Sequence, residues 1–114
     1  MIHAKFELAD NGKSLVLTVQ GHADSADYGK DIVCASASIL TYTLAQIVKA
    51  IGEEGNLKKK PTLRLDEGNA CVSCKPTKGT YDELHHAYTV IQVGFALLAH
   101  NYPEFVQLTK FVEA

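Results

Sequence analysis

Two apolar stripes at helical spacing, each preceded by a pair of alternating segments, constrain this chain of 114 residues most. Val33, Ala37, Leu40, Leu44, Ile47 and Ile51 recur at intervals of 4-3-4-3-4, and Leu84, Tyr88, Ile91, Phe95 and Leu98 at 4-3-4-3. Side chains so spaced share one face of a helix. The spacing predicts helices over roughly 31–52 and 81–100. Gly52 and Gly55 stop the first, and Thr80, with Glu83 three residues on, offers a capping box for the second. A helix with one apolar stripe must bury it against another element.

The alternating segments supply that element. Ile2, Ala4, Phe6 and Leu8 alternate with His3, Lys5 and Glu7, which is a half-buried strand. Asp10-Asn11-Gly12 suits a tight turn, and residues 14–20 return with Leu15, Leu17 and Val19 on one face. Residues 62–66 and 70–75 form a second hairpin around Glu67-Gly68-Asn69. After Pro103, the run Val106, Leu108, Lys110, Val112 fits either a last short strand or a helical turn. The expected fold is α+β, one domain over residues 1–114. It is a two-layer sandwich in the order ββαββα, with a final β if the last segment is extended. Both helices cover one face of a mostly antiparallel sheet. The other face then carries polar residues or a partner.

Composition narrows the classes of function. Apolar residues are 46% and charged residues 21%, with a net charge of −2. That is a globular balance, not a disordered one. It gives no electrostatic reason for nucleic-acid binding. No apolar run approaches the roughly 18 residues of a membrane span. Charge comes too early, at Lys5 and Glu7, for a secretory signal, so the expected compartment is cytoplasm. Three cysteines, an odd number, argue against a closed disulfide framework and leave reduced thiols. The Lys58–Lys60 triplet reads as solvated surface.

Three places invite chemistry. His22 follows Gly21 at the end of a strand, and Cys34 sits in the first turn of the long helix. A thiolate is favoured near a helix N-terminus, and an imidazole can take its proton. Cys34 lies about 100° round the helix from Val33, at the edge of the stripe beside Ser38 and Thr41. The alternative is a packed cysteine under a loop histidine. Asp31 either caps the helix or orients the His22 ring. The second place is Cys71-Val72-Ser73-Cys74, with His85, His86 and His100 elsewhere. On a strand its two thiols point to opposite faces, so neither zinc nor a redox pair is expected. The third is an anion loop at Gly21 and Gly29, which Asp24, Asp27 and Asp31 oppose by charge.

Gly21-His22-Ala23, Gly29, Asp31-Ile32-Val33-Cys34-Ala35 and Ser38 together resemble the signature of the ribosomal-processing cysteine protease family Prp (YsxB-like). The resemblance implies a cofactor-free cytoplasmic cysteine endopeptidase, and the opposed Cys71 and Cys74 side chains imply that no metal is needed. Its substrate is the short N-terminal extension of a large-subunit ribosomal protein. It further implies a homodimer, no membrane, and nucleic acid met only through the ribosome. By the same resemblance His22 is the base and Cys34 the nucleophile, supported by Asp31 and Ser38. Ala23–Lys30, with Ala23, Asp24, Asp27, Tyr28 and Gly29, is then the substrate loop, acidic enough to suit a basic substrate. It is read as mobile, closing over bound peptide with Tyr28 as its cover. Backbone amides at the helix start are the expected oxyanion donors. The competing class is a non-enzymatic ribosome-associated binding module of the same fold, touching RNA through Lys58–Lys60.

Overall fold

A computed structural model describes residues 1–22 and 28–111, except the side chains of residues 28–31. The elements run β1 (Ile2–Ala9), β2 (Ser14–Gln20), α1 (Tyr28–Glu53), β3 (Thr62–Asp66), β4 (Asn69–Cys74), α2 (Tyr81–Asn101) and β5 (Val106–Thr109). The last segment is therefore a strand over Val106–Thr109, and Val112 lies outside the described residues. The sheet has the order β3-β4-β2-β1-β5. Every pairing is antiparallel except β1 with β5. The two-layer α+β sandwich expected from the stripes is the fold observed.

The alternation in β1 sorts its side chains as expected. Ile2, Ala4 and Phe6 are buried, while His3 and Lys5 are exposed. Register carries the apolar row across the sheet, Phe6 opposite Leu17, Leu17 opposite Val72, and Val72 opposite Leu63. The next row faces solvent as Lys5, Thr18, Cys71 and Arg64. The outer face is thus polar. The first hairpin turns through Asp10, Asn11 and Gly12, all at positive φ, and Lys75 Nζ holds Asp10 Oδ2 at 2.6 Å.

The second stripe is buried as read: Leu84, Tyr88, Ile91, Phe95 and Leu98. Phe95 meets Phe6 edge to face, with ring centroids 6.0 Å apart. The first stripe is wider than read. Thr41, Ala45 and Val48 join Val33, Ala37, Leu44 and Ile51 in the core, while Leu40 and Ile47 are only partly buried. The cause is that α1 packs on two things at once, the sheet and α2. Leu40 lies against Gly94, where a Cβ would come within 3.3 Å of Leu40 Cδ1 and closer still to Cδ2.

Three local expectations change. The first helix begins at Tyr28, not 31. Thr80 makes no side-chain cap; its hydroxyl donates instead to the Asn56 carbonyl at 2.8 Å, tying the start of α2 to the loop after α1. Ile32–Glu53 is, by length and composition, apolar enough to cross a membrane. The heavily buried Val33, Leu44 and Val48 make it the core helix of the sandwich. The end of α1 agrees with the glycine signal. Gly55 is at φ +81, and its N–H and that of Asn56 bond to the Gly52 and Ile51 carbonyls, a Schellman cap.

One polar pair sits inside the core. Tyr88 Oη donates to the Val72 carbonyl at 2.9 Å and lies 3.7 Å from Cys74 Sγ. Burial pushes the Tyr88 hydroxyl well above its ordinary value and pushes the Cys74 thiol up as well. The folded state therefore keeps protons that the unfolded chain releases, so stability falls as pH rises past the ordinary thiol value of 9.0. Thermal midpoints measured from neutral to alkaline pH should drop beyond that point. Tyr88→Phe should lose about 1 kcal/mol at neutral pH and flatten part of the alkaline decline. A midpoint that stays level to about pH 11, past the ordinary tyrosine value, would contradict this reading of the pair.

Candidate active site

The β2–β4 register sets the site. Gln20 pairs with Asn69, so the two residues beyond β2, Gly21 and His22, run alongside the β3–β4 turn. The Gly21 N–H extends the ladder by donating to the Gly68 carbonyl at 3.0 Å. Gly21 is at φ +95, and a Cβ there would collide with the Met1 carbonyl oxygen. Only glycine fits both demands. The Met1 nitrogen in turn donates to the His22 carbonyl oxygen. His22 is thus held by its backbone where β1, β2 and β4 converge, with its side chain exposed.

Cys34 reaches the same place from α1. Val33 is fully buried, and the next residue round the helix is only half-buried. A groove of about 500 Å³ opens there, lined by His22, Cys34 and Ser38 together with residues of the β3–β4 turn. Its floor is apolar, with Ile2, Val19 and Ala37, and its rim bears Tyr42, Leu65 and the exposed Asp66 and Glu67. The fold therefore brings together three candidates named from sequence, His22, Cys34 and Ser38. Among the described residues no hydrogen bond links the His22 ring to the Cys34 thiol. The lack of that hydrogen bond in an unliganded site is compatible with a working acid–base pair.

The remaining candidates fare differently. Ala23, Asp24 and Asp27 lie outside the described residues, as do the side chains of Tyr28 and Asp31. Tyr28 and Gly29, expected in a loop, belong by their backbone to the first turn of α1. Asp31 is inside that helix and so does not cap it. The same three-residue shift moves the helix's free amides below Cys34. The amides left unbonded at a helix start are those of its first turn, which here begins at Tyr28. Cys34 lies beyond the first turn, where the helix field has largely decayed.

The other two cysteines do not line the groove. Cys71 and Cys74 point to opposite faces of β4, Cys74 into the core. Burial pushes both thiols up; Arg64 partly offsets this at Cys71, and the Tyr88 hydrogen bond partly offsets it at Cys74. Among the described residues no cluster of three metal-ligating side chains occurs. His85 is stacked between Tyr81 and Phe111, away from the groove.

Sequence reasoning missed the β3–β4 turn as part of the site. Its Glu67-Gly68-Asn69 signal marked a turn, but only the β2–β4 pairing, long-range in sequence, shows which groove the turn walls.

Known proteins carry the same architecture. The family model described as cysteine protease Prp matches residues 1–107. The ribosomal processing cysteine protease Prp of Staphylococcus aureus is 25% identical over 108 residues, which is 95% of this chain and 97% of that one. A crystal structure of that essential S. aureus protease with a covalently linked product peptide matches at a TM-score of 0.65 and 26% identity, covering 96% of this chain and 99% of the other. The crystal structure of SMU.848 from Streptococcus mutans matches at a TM-score of 0.69 and 25% identity, covering 97% and 94%.

The site predicts a ranking of thiols. Iodoacetamide at neutral pH should alkylate Cys34 about tenfold faster than Cys71, with Cys74 slowest, because burial raises the thiols of Cys71 and Cys74 and encloses the latter in the core. Peptide mapping of a time course measures this. Equal rates at Cys34 and Cys71 would remove the case for an activated thiol.

Proposed function

The chain belongs to the cysteine protease Prp family, and from that premise we propose that it trims the N-terminal extension of a large-subunit ribosomal protein, with Cys34 as nucleophile and His22 as base. The observation that carries the assignment of residues is the groove that Cys34 and His22 line together.

The chemistry follows from their types. His22 takes the thiol proton, and the Cys34 sulfur attacks the scissile carbonyl carbon. The tetrahedral intermediate collapses as the His22 imidazolium gives its proton to the departing amine. The N-terminal fragment is left as a thioester on Cys34. Water, deprotonated by His22, attacks that thioester and releases a carboxylate and the free thiol. Ser38, exposed one turn on from Cys34 in the same groove, is placed to contact bound peptide. The half-apolar groove with Asp66 and Glu67 at its rim suits an extended segment carrying both apolar and basic side chains.

A homodimer and a cytoplasmic location belong to the same proposal. Ile39, Val90, Val93 and Leu97 are all more than half exposed on the two helices, which supports a second copy seated on their outer surface. Sedimentation equilibrium of wild type and Leu97→Glu tests that; a monomeric wild type refutes it. The binding-module alternative rested on Lys58–Lys60, which lie past the opposite end of α1 from Cys34.

Incubation with the extended ribosomal protein, followed by mass spectrometry, should give one defined N-terminal cut. Cys34→Ala should abolish it with the thermal midpoint little changed. His22→Ala should be nearly as severe, because members of one catalytic unit are not additive. Substantial turnover by either variant sinks the pair.

A further inference from the structure

The β3–β4 turn does more than wall the groove. Gly68 is at φ +72, and a Cβ built on it would lie 2.7 Å from Cε1 of the His22 ring, 3.2 Å from Cδ2, and nearest of all to Nε2. The imidazole therefore rests directly on the bare α-carbon of the turn. The contact is tied at the backbone as well, since the Gly68 carbonyl accepts the N–H of Gly21, the residue next to His22. Among the described residues no hydrogen bond reaches the His22 ring, and its contact with Gly68 is one of shape.

We propose that Gly68 is a positioning residue for the reaction: the glycine surface of the β3–β4 turn is the seat that holds the His22 imidazole toward Cys34. The proposal rests on His22 acting as the base. An exposed histidine on a strand end otherwise samples several rotamers. A reacting group misplaced by about 1 Å loses on the order of 100-fold in rate. A methyl group at position 68 occupies the space of the ring and forces it off the seat. The glycine is thus required twice, by the backbone of the turn and by the ring above it.

The two requirements separate experimentally. Asparagine tolerates positive φ, so Gly68→Asn keeps the turn but fills the seat. Gly55, also at positive φ, has open space where its Cβ would go, so Gly55→Asn is the matching control. The readout is the rate at which iodoacetamide alkylates Cys34 across the imidazole range, roughly pH 5–8. It is measured with the thermal midpoint of each variant.

Gly68→Asn should slow Cys34 alkylation toward the His22→Ala rate and remove the pH limb that His22 supplies. Gly55→Asn should leave both unchanged. In the His22→Ala background, Gly68→Asn should change the rate less than twofold, because the seat then has nothing to hold. A wild-type rate and pH profile in Gly68→Asn overturns the proposal while leaving the catalytic pair intact. So does an equal loss from Gly68→Asn in the presence and absence of His22, which marks a general effect on the fold. A wild-type alkylation rate in His22→Ala overturns both the seat and the base it serves.

Discussion

Burying Val33 decides where Cys34 points. A helix turns about 100° per residue, so once one side chain is fixed in the core its neighbour's direction is fixed too. Val33, Ala37, Leu44 and Val48 lock the rotation of α1 against the sheet, and α2 locks it from the side through Gly94 and Leu40. Cys34 is left at the margin, half in and half out, facing the groove. A thiol at the centre of the stripe is inert, and one on the outer face has no walls around it. The position of the proposed nucleophile is thus a by-product of core packing, which makes the core part of the proposed site.

The histidine is fixed by a different means. Nothing buries it. Three strands converge on its backbone, through Met1 to the His22 carbonyl and through Gly21 to the Gly68 carbonyl. Two glycines permit that convergence, because a Cβ on Gly21 meets Met1 and a Cβ on Gly68 meets the ring itself. Packing sets one half of the proposed pair, and backbone clearance sets the other. Meanwhile the remaining thiols lie outside the groove, and burial raises both, Cys74 in the core and Cys71 partly covered on β4.

Periodicity was enough to read the layers. The α2 stripe from Leu84 to Leu98 was legible residue by residue, because one face of that helix does all the burying. The α1 stripe was legible in phase but not in width, since Thr41 is buried only by satisfying its own hydroxyl on the Ala37 carbonyl at 2.8 Å. The start of α1 was misplaced by three residues because glycine and aspartate between Tyr28 and Asp31 look like loop in isolation. Thr80 looked like a cap because its spacing to Glu83 was right. The competing acceptor, the Asn56 carbonyl, is distant in sequence. Gly68 carried a turn signal and no hint of the ring above it. Local pattern encodes turns and stripes, whereas the seat under His22 exists only after β4 pairs with β2.

In the proposed reaction the sulfur that becomes acylated is that of Cys34. A peptide chloromethyl ketone ending at the residue before the cut delivers an irreversible label to the attacking group. Wild-type protein should take up one equivalent, mapped to the peptide containing Cys34, with cleavage lost in proportion to labelling. Label on Cys71 or Cys74, or full Cys34 labelling with cleavage intact, would contradict the account.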